Sequence, residues 1–338
     1  MSDNYQAKDD SSSKDQHSFS GPARKIRTNS RNAEPPREAD DLAKEEKVFL
    51  LREGCSFPKR VSASSSGGDL YRHVRRLESP VGIHEPFNVQ QNIEQIQERF
   101  PYARDAIKAL ASADLTRTVF GRSHGFQPVI LVGRPGCGKS TLARVYNKTL
   151  GYPCMTINVG AMSDVLSFMG THSTYSNPRP SVIVEYVAQA EVANPCVILD
   201  EIDKSSEGSR NGSVKDALLQ FLEPGEAATF YDVCLNTEVN LSHVRWILTA
   251  NSLEKVPAPL RSRCHVVHVP CPQKSHVPQM ARQMVANFMA SINMDARWVA
   301  LDGVEEAVLQ ENFNGDLRQL RMMVEILIRE RMTSLAIC

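Results

Sequence analysis

Residues 133–140 read Gly-Arg-Pro-Gly-Cys-Gly-Lys-Ser, and this stretch matches the pattern G-x-x-x-x-G-K-[ST] at every fixed position. It follows an apolar run at 128–132, which predicts a buried parallel strand, and it precedes a helical pattern at 141–150. Glycines between a strand and a helix let backbone N–H groups point inward around phosphate oxygens, and the helix N-terminus adds partial positive charge. The sequence therefore predicts a phosphate-binding loop here.

The charged and hydroxyl side chains of this loop predict that it binds a nucleoside triphosphate together with Mg²⁺. Lys139 is expected to reach the β- and γ-phosphates, and the Ser140 hydroxyl is expected to bind Mg²⁺. A glycine-rich turn that binds nothing is the alternative, and the strand and helix on either side argue against it. The candidate nucleotide-binding residues are Gly133, Pro135, Gly136, Cys137, Gly138, Lys139, Ser140 and Thr141.

Two carboxylates follow a second apolar run. Residues 195–201 read Pro-Cys-Val-Ile-Leu-Asp-Glu, so four strand residues lead directly to Asp200 and Glu201. Ligands of parallel-sheet proteins bind at the carboxyl ends of the strands. We therefore expect Asp200 to hold the Mg²⁺ shell with Ser140, and Glu201 to orient or deprotonate an attacking water molecule. An exposed acidic turn is the alternative interpretation.

The chain from about residue 88 alternates helical patterns with apolar strand patterns. Pro101 is expected to start the second of two helices that precede the phosphate-binding loop. Apolar strands that alternate with helices are typical of a parallel sheet covered on both faces, so the predicted fold class is α/β. Only helices are predicted beyond Pro272. The further strands are predicted at 154–159, 196–199, 244–250 and 266–269, and the further helices at 182–193 and 214–222.

Asn251 ends the predicted strand at 244–250 with a polar amide. It could position a water molecule between the two strand ends already described, or it could be an ordinary turn residue. The residues alone leave both interpretations open.

Composition excludes several classes of protein. The 338 residues carry 39 Lys plus Arg and 39 Asp plus Glu, which gives no overall electrostatic attraction to nucleic acid or to an anionic membrane. Apolar runs are too short to span a bilayer, no apolar leader is expected at the start, and the eight cysteines form no C-x-x-C pair. We therefore predict a cytoplasmic protein that binds no membrane; nucleic acid binding is disfavoured, although a local basic patch is compatible with the composition.

Several stretches together resemble the AAA+ ATPases, and within them the ATPase module of the Lon family. The resemblance runs from about residue 93 to residue 331. It implies a P-loop NTPase fold, with a parallel five-stranded sheet and flanking helices followed by a small all-α lid domain. The stretches are GRPGCGKST (133–141), GTHSTY (170–175), NPCVILDEIDK (194–204), ALLQFLEP (217–224), ILTAN (247–251), VPAPLRSR (256–263) and GDLRQL (315–320).

The resemblance also assigns roles outside the phosphate-binding loop. Asn251 looks like the sensor 1 residue, which polarises the hydrolytic water, and Arg318 resembles the sensor 2 arginine. Arg263 looks like the arginine finger that reaches the neighbouring subunit's γ-phosphate, with Arg261 as the competitor for that role. Tyr102 lies where the family lines its adenine pocket. Family members of this type form hexameric rings, so a homo-oligomeric ring is expected.

Tyr175 aligns with the pore-loop aromatic residue that grips an unfolded polypeptide. A bulky aliphatic residue usually follows it in the family, whereas Ser176 follows here, so grip on a polypeptide should be weaker. The chain ends at Cys338, straight after the helical segment, which leaves no residues for the Lon peptidase domain. We therefore expect a motor without its own protease activity.

The resulting domain organisation and function are expectations. The leading hypothesis is a Mg-ATP-dependent ring that unfolds or remodels proteins. The alternatives are a nucleotide-dependent assembly or regulatory switch with slow ATPase activity and, less favoured, a DNA-directed protein such as a clamp loader. The predicted parts are a disordered tail (1–47), an uncertain linker with short elements (48–87), a large α/β ATPase domain (88–271) and a small helical domain (272–338).

Overall fold

Five parallel strands form the central sheet, as predicted. The computed structural model describes residues 46–52, 55–57, 71–72, 74–120, 125–162, 165–175, 178–204 and 213–337. The predicted disordered tail lies outside these residues, apart from its last two. The strands in chain order are β1 (Lys47–Val48), β2 (Val81–Gly82), β3 (Val129–Val132), β4 (Cys154–Asn158), β5 (Cys196–Asp200), β6 (Phe230–Asp232), β7 (Thr237–Val239), β8 (Arg245–Ala250) and β9 (His265–His268).

The order of the strands places the predicted site residues side by side. The sheet runs β4-β5-β8-β3-β9, and every neighbouring pair is parallel. Strand β8 therefore lies between β5, which ends in Asp200, and β3, which leads into the phosphate-binding loop. Strands β3 and β8 are buried at every residue, as is β5 up to Asp200, because other elements cover both faces of the sheet.

Helices cover the sheet and continue alone after it. The α-helices are α1 (Val89–Arg99), α2 (Arg104–Phe120), α3 (Lys139–Thr149), α4 (Leu166–Met169), α5 (Val182–Ala190), α6 (Val214–Leu222), α7 (Pro224–Ala228), α8 (Ala258–Arg263), α9 (Val277–Ser291), α10 (Gly303–Asn312) and α11 (Leu317–Ile337). We call residues 277–337 the C-terminal helical region. The prediction that only helices follow Pro272 agrees with the structure.

The sequence misplaced the start of the second helix. Helix α2 begins at Arg104 instead of Pro101, because residues 100–103 form a turn in which the Ala103 N–H bonds the Phe100 carbonyl at 2.9 Å. The antiparallel hairpin of β6 and β7 was also not predicted. Strands of three residues are too short to show a clear alternation of apolar and polar residues.

The segment interpreted as an uncertain linker contributes to the hydrophobic core. Strand β1 pairs with β2, and Leu51 forms a bridge with Val239 of the hairpin. Leu50 and Leu77 are fully buried in the same cluster as the sheet residues. The described residues between 46 and 87 are therefore an integral part of the α/β fold.

A buried ion pair fixes helices α2 and α3 to the start of β8. The Arg245 guanidinium donates to both oxygens of Asp114, at 2.9 and 2.8 Å, and lies between the rings of Phe126 and Tyr152. Asp114 also accepts the hydroxyls of Tyr146 and Tyr152 at 2.6 and 2.8 Å. Because removal of one partner would leave a buried charge without compensation, this network holds α3, the helix after the phosphate-binding loop, in register with the sheet.

Candidate active site

The phosphate-binding loop has the backbone shape that its glycines predict. Gly136 and Gly138 have positive φ angles of 80° and 92°, and Gly138 is the residue before helix α3. A Cβ at Gly138 would lie 2.8 Å from Leu317 Cδ1 and 2.9 Å from the Tyr102 hydroxyl. Conformation and crowding thus both require glycine at this position.

The Lys139 side chain folds back onto the phosphate-binding loop and bonds its first two residues. Its side chain is almost buried, and its ammonium group donates to the carbonyls of Gly133 at 2.8 Å and Arg134 at 3.1 Å. It also donates to Asn251 Oδ1 at 3.0 Å, so the structure joins these two predicted site residues directly. The cation is therefore held in place before any phosphate arrives, and a phosphate oxygen can replace these neutral acceptors.

Asp200, at the end of β5, accepts hydrogen bonds from two hydroxyl groups. Ser140 Oγ donates to Asp200 Oδ1 at 2.6 Å, and Thr249 Oγ1 donates to the same oxygen. Thr249 also accepts the backbone N–H of Glu201 at 3.1 Å. Thr249 was not predicted as a site residue, although its place two residues before Asn251 in the same run was the available signal.

Glu201 is held by its backbone conformation and by an ion pair. Its φ is 59°, which is uncommon for a residue with a side chain and turns the chain sharply after β5. Its carboxylate accepts from Lys204 Nζ at 2.7 Å, and this hydrogen bond raises the pKa of the Lys204 ammonium group. The predicted catalytic carboxylate is therefore paired with Lys204, which was not predicted as a site residue.

These residues open onto a cavity of about 570 Å³ between the strand ends and the C-terminal helical region. The Leu317 N–H donates to the Gly136 carbonyl at 3.0 Å, so helix α11 contacts the phosphate-binding loop directly. Both polar and apolar side chains line this cavity. The polar residues include Lys139, Ser140, Thr141, Asp200, Glu201, Asn251 and Arg318, and the apolar ones include Phe100, Met280, Met284, Phe288 and Val324.

Tyr102 supports the phosphate-binding loop as well as lining this cavity. Its hydroxyl donates to the Cys137 carbonyl at 2.8 Å. Burial, together with the nearby thiols of Cys137 and Cys271, raises the pKa of the Tyr102 phenol, so the donor proton is retained at neutral pH. Gly133 and Cys137, also predicted as binding residues, are not among the residues that line the cavity.

The predicted arginines occupy two different places. Arg318, in the first turn of α11, lines the cavity. Arg263 ends α8 outside the cavity lining, with its Nε 3.2 Å from Glu223 Oε2, and Arg261 lies exposed on the same helix. The structure therefore brings Arg318 to the candidate nucleotide site and leaves both candidate finger arginines away from it.

Tyr175 lies on a loop whose base is closed by hydrogen bonds; we call its described residues, 171–175 and 178–181, the Tyr175 loop. The Thr171 N–H donates to the Arg179 carbonyl and the Arg179 N–H donates to Thr171 Oγ1, each at 2.8 Å. The Tyr175 N–H bonds the His172 carbonyl at 3.0 Å, whereas its side chain is 60% exposed. The ring is thus presented to solvent on an ordered base; Ser176 lies outside the described residues.

Part of the chain matches the model of a known ATPase family. Residues 129–270 match the family model "ATPase family associated with various cellular activities (AAA)". The match covers the five-stranded sheet and its connecting helices, and it confirms the P-loop fold predicted from the sequence. Within the described residues, no helix is long and apolar enough to cross a membrane.

Within this class the chain is similar to Lon proteases, as the sequence stretches indicated. It is 32% identical to the Lon protease of Desulfovibrio desulfuricans over 201 residues, which are 59% of this chain and 23% of that protein. It is 34% identical over 194 residues to the mitochondrial Lon protease homolog of Phaeodactylum tricornutum, over 56% of this chain and 21% of the homolog. The chain thus spans less than a quarter of the length of these relatives.

A solved structure shares the fold at low sequence identity. The closed-state cryo-EM reconstruction of Hsp104 with ATPyS and FITC casein has a TM-score of 0.60 and 15% identity. The match covers 74% of this chain and 47% of that chain. At this identity the likeness shows the fold alone.

Proposed function

We propose that this protein hydrolyses Mg-ATP as a ring of identical subunits and couples hydrolysis to the unfolding or remodelling of protein substrates. One observation carries the proposal: Lys139, the Ser140–Asp200 pair and Glu201 converge on one cavity that the C-terminal helical region closes. Such a cavity holds a triphosphate at the strand ends and a base against apolar side chains.

The donor set fits both ATP and Mg²⁺. A Cβ at Gly133, Gly136 or Gly138 would collide with neighbouring atoms, so glycine at these positions allows the close-packed loop shape in which backbone N–H groups can surround a phosphate. Ser140 and Asp200 supply the hydroxyl and carboxylate oxygens that Mg²⁺ prefers. When bound, Mg²⁺ would supply charge neutralisation at the phosphates.

The protein residues divide the remaining work. Lys139 neutralises phosphate charge, and Asn251, its hydrogen-bond partner, helps to orient the attacking water molecule. Glu201 takes up the proton of that water once its carboxylate leaves Lys204. Thr249 holds both Asp200 and the Glu201 backbone, and so sets the distance between the metal site and the base.

The location of Arg263 supports an arginine that acts across a subunit boundary. Arg263 lies outside its own subunit's cavity lining and pairs with Glu223, whose side chain is 45% exposed. In a ring, α8 of one subunit would place Arg263 at the triphosphate of the next. Arg318 would act in its own subunit and join the nucleotide to helix α11.

The exposed Tyr175 ring supports protein as the substrate class. An aromatic ring on an anchored loop offers apolar contact area without specific hydrogen bonding, which suits varied unfolded segments. The hexameric state, the cytoplasmic location and the division into domains at residues 88 and 272 remain predictions.

The ATPase rate, measured against protein concentration with and without carboxymethylated lactalbumin as an unfolded protein, tests the proposal. We expect the specific activity to rise with assembly and again with the unfolded protein. Arg263→Ala should lose activity while retaining nucleotide binding, whereas Arg297→Ala, which removes a 90% exposed arginine, serves as the control. A rate that is independent of concentration and unaffected by Arg263→Ala would contradict the ring mechanism.

A nucleotide-dependent switch is the second candidate, and the Glu201–Lys204 ion pair favours it. A base held by a cation would hydrolyse ATP slowly, and slow hydrolysis would time a conformational change. This candidate predicts no response to the unfolded protein and full activity in Tyr175→Ala.

A further inference from the structure

Asp232 joins two segments that lie 51 residues apart in the chain. It is the last residue of β6 and is completely buried. Its Oδ1 accepts the N–H groups of Cys234 and Leu235, each at 2.9 Å, which closes the turn of the β6–β7 hairpin. Its Oδ2 accepts the N–H of Ser181 at 2.8 Å, just before helix α5. One carboxylate therefore serves both elements, with a separate oxygen for each.

Ser181 belongs to the base of the Tyr175 loop. The Ser181 hydroxyl donates to the Phe168 carbonyl at 3.0 Å and accepts the Ile183 N–H, so it closes the loop and caps α5. Gly170, on the opposite side of the base, has φ of 87°, and a Cβ there would lie 2.7 Å from the Ser181 nitrogen. The bond to Asp232 thus holds the loop at a point where its two sides pack closely.

The Ser181–Asp232 hydrogen bond connects the two segments that precede strands β5 and β8 in the chain. Helix α5 leads into β5, which ends at Asp200 beside Glu201. The hairpin leads into β8, which carries Thr249 and ends just before Asn251. A displacement of the Tyr175 loop that moves Asp232 would therefore move both segments that position the active-site side chains.

An ionised carboxylate at this depth requires full hydrogen bonding. Burial raises the pKa of the Asp232 carboxyl above its usual value, while the three N–H donors act in the opposite direction. Three donors satisfy the charge, and loss of one would leave a buried polar group unpaired. The geometry therefore makes the Ser181–Asp232 bond sensitive to a single atom change.

We propose that Asp232 is a positioning residue that couples contact between the Tyr175 loop and a polypeptide to ATP hydrolysis. Its hydrogen bonds join the loop to the hairpin, so that a displacement of Tyr175 by a bound polypeptide would shift both β5 and β8. The inference rests on the proposed function, in which Tyr175 contacts an unfolded protein.

Asp232→Asn tests the link with the smallest change. An asparagine can keep Oδ1 as the acceptor for Cys234 and Leu235, and its amide group then faces the Ser181 N–H, donor against donor. We expect basal ATPase activity close to wild type and stimulation by carboxymethylated lactalbumin reduced about 5-fold or more. Amide exchange at Thr171 and Tyr175 should accelerate, while exchange in β3 stays unchanged.

Leu235→Ala is the matched control. It removes a buried side chain from the same hairpin but keeps the backbone N–H that Asp232 accepts. A variant that only weakens the hairpin should lower the melting temperature and leave both the stimulation and the loop exchange intact. If Leu235→Ala loses stimulation to the same extent, Asp232 is merely structural and the proposal fails.

The two readouts separate this inference from the proposed function. Normal stimulation together with unchanged loop exchange in Asp232→Asn would overturn the inference alone. Absence of stimulation in the wild type would overturn the proposed function, and with it the coupling to hydrolysis. Loop exchange would then still show whether Asp232 fixes the Tyr175 loop.

Discussion

The phosphate-binding loop and the Tyr175 loop are built alike at the backbone and differently at the side chain. Each depends on a glycine of positive φ, Gly138 at 92° and Gly170 at 87°, where a Cβ would meet neighbouring atoms. Lys139 points inward and is only 7% exposed, whereas Tyr175 is 60% exposed. A group that acts on a bound ligand is held in advance and kept from water, while a group that contacts a partner stays at the surface on a fixed base.

Among the active-site residues, Glu201 should give the largest loss of ATP turnover when it is replaced. Glu201→Gln keeps the shape of the side chain but cannot take up a proton, so we expect turnover to fall by about 10² to 10⁴-fold with ATP affinity retained. Single-turnover hydrolysis and equilibrium binding of a fluorescent ATP analogue separate the two effects. Equal loss of binding would mean that Glu201 holds the nucleotide instead of acting on water.

Lys139→Ala should greatly weaken ATP binding, which Glu201→Gln should preserve. It removes a cation whose position Asn251 and two carbonyls define, and we expect ATP affinity to fall about 100-fold, equivalent to two charge-assisted hydrogen bonds of about 1.5 kcal/mol each. The same binding assay measures the change. Tyr175→Ala is the control from the other loop, and its ATP affinity should equal that of the wild type.

Gly170→Ala tests the base of the Tyr175 loop. An alanine there would have to adopt φ of 87° and displace the Ser181 nitrogen, at a cost of about 1–3 kcal/mol in the free energy of unfolding. Denaturant unfolding measures this loss. Gly225→Ala is the matched control, because a Cβ there meets nothing within 4 Å, and it should leave stability unchanged or slightly raised.

Thr249→Val gives the smallest expected effect, and it tests whether Thr249 positions Asp200 and Glu201. Valine keeps the shape in β8 but loses the donor to Asp200 and the acceptor for the Glu201 N–H. We expect turnover to fall about tenfold, which corresponds to about 1.4 kcal/mol, and more Mg²⁺ to be required for half-maximal rate. Thr229→Val, on an exposed residue, should change neither quantity, and an unaltered Mg²⁺ requirement in Thr249→Val would contradict the assignment.

The local features of the fold were predictable because each depends on residues close in sequence. The apolar runs predicted the five strands, and the glycine spacing predicted the turn into α3. The start of α2 was placed three residues too early, since the turn at 100–103 competes with the helical preference of Pro101. The core contacts of the described residues between 48 and 87 were not predicted, because Leu51 forms its bridge with Val239, far along the chain.

Short-range periodicity and backbone preference were sufficient to predict the phosphate-binding loop, the acidic pair after β5 and the parallel sheet. The three-dimensional structure was needed to show that Lys139 donates to Asn251, that Thr249 donates to Asp200, and that Asp232 joins the hairpin to the base of the Tyr175 loop. These hydrogen bonds connect residues between 49 and 112 positions apart. Their geometry depends on strand order and burial, which no local pattern contains.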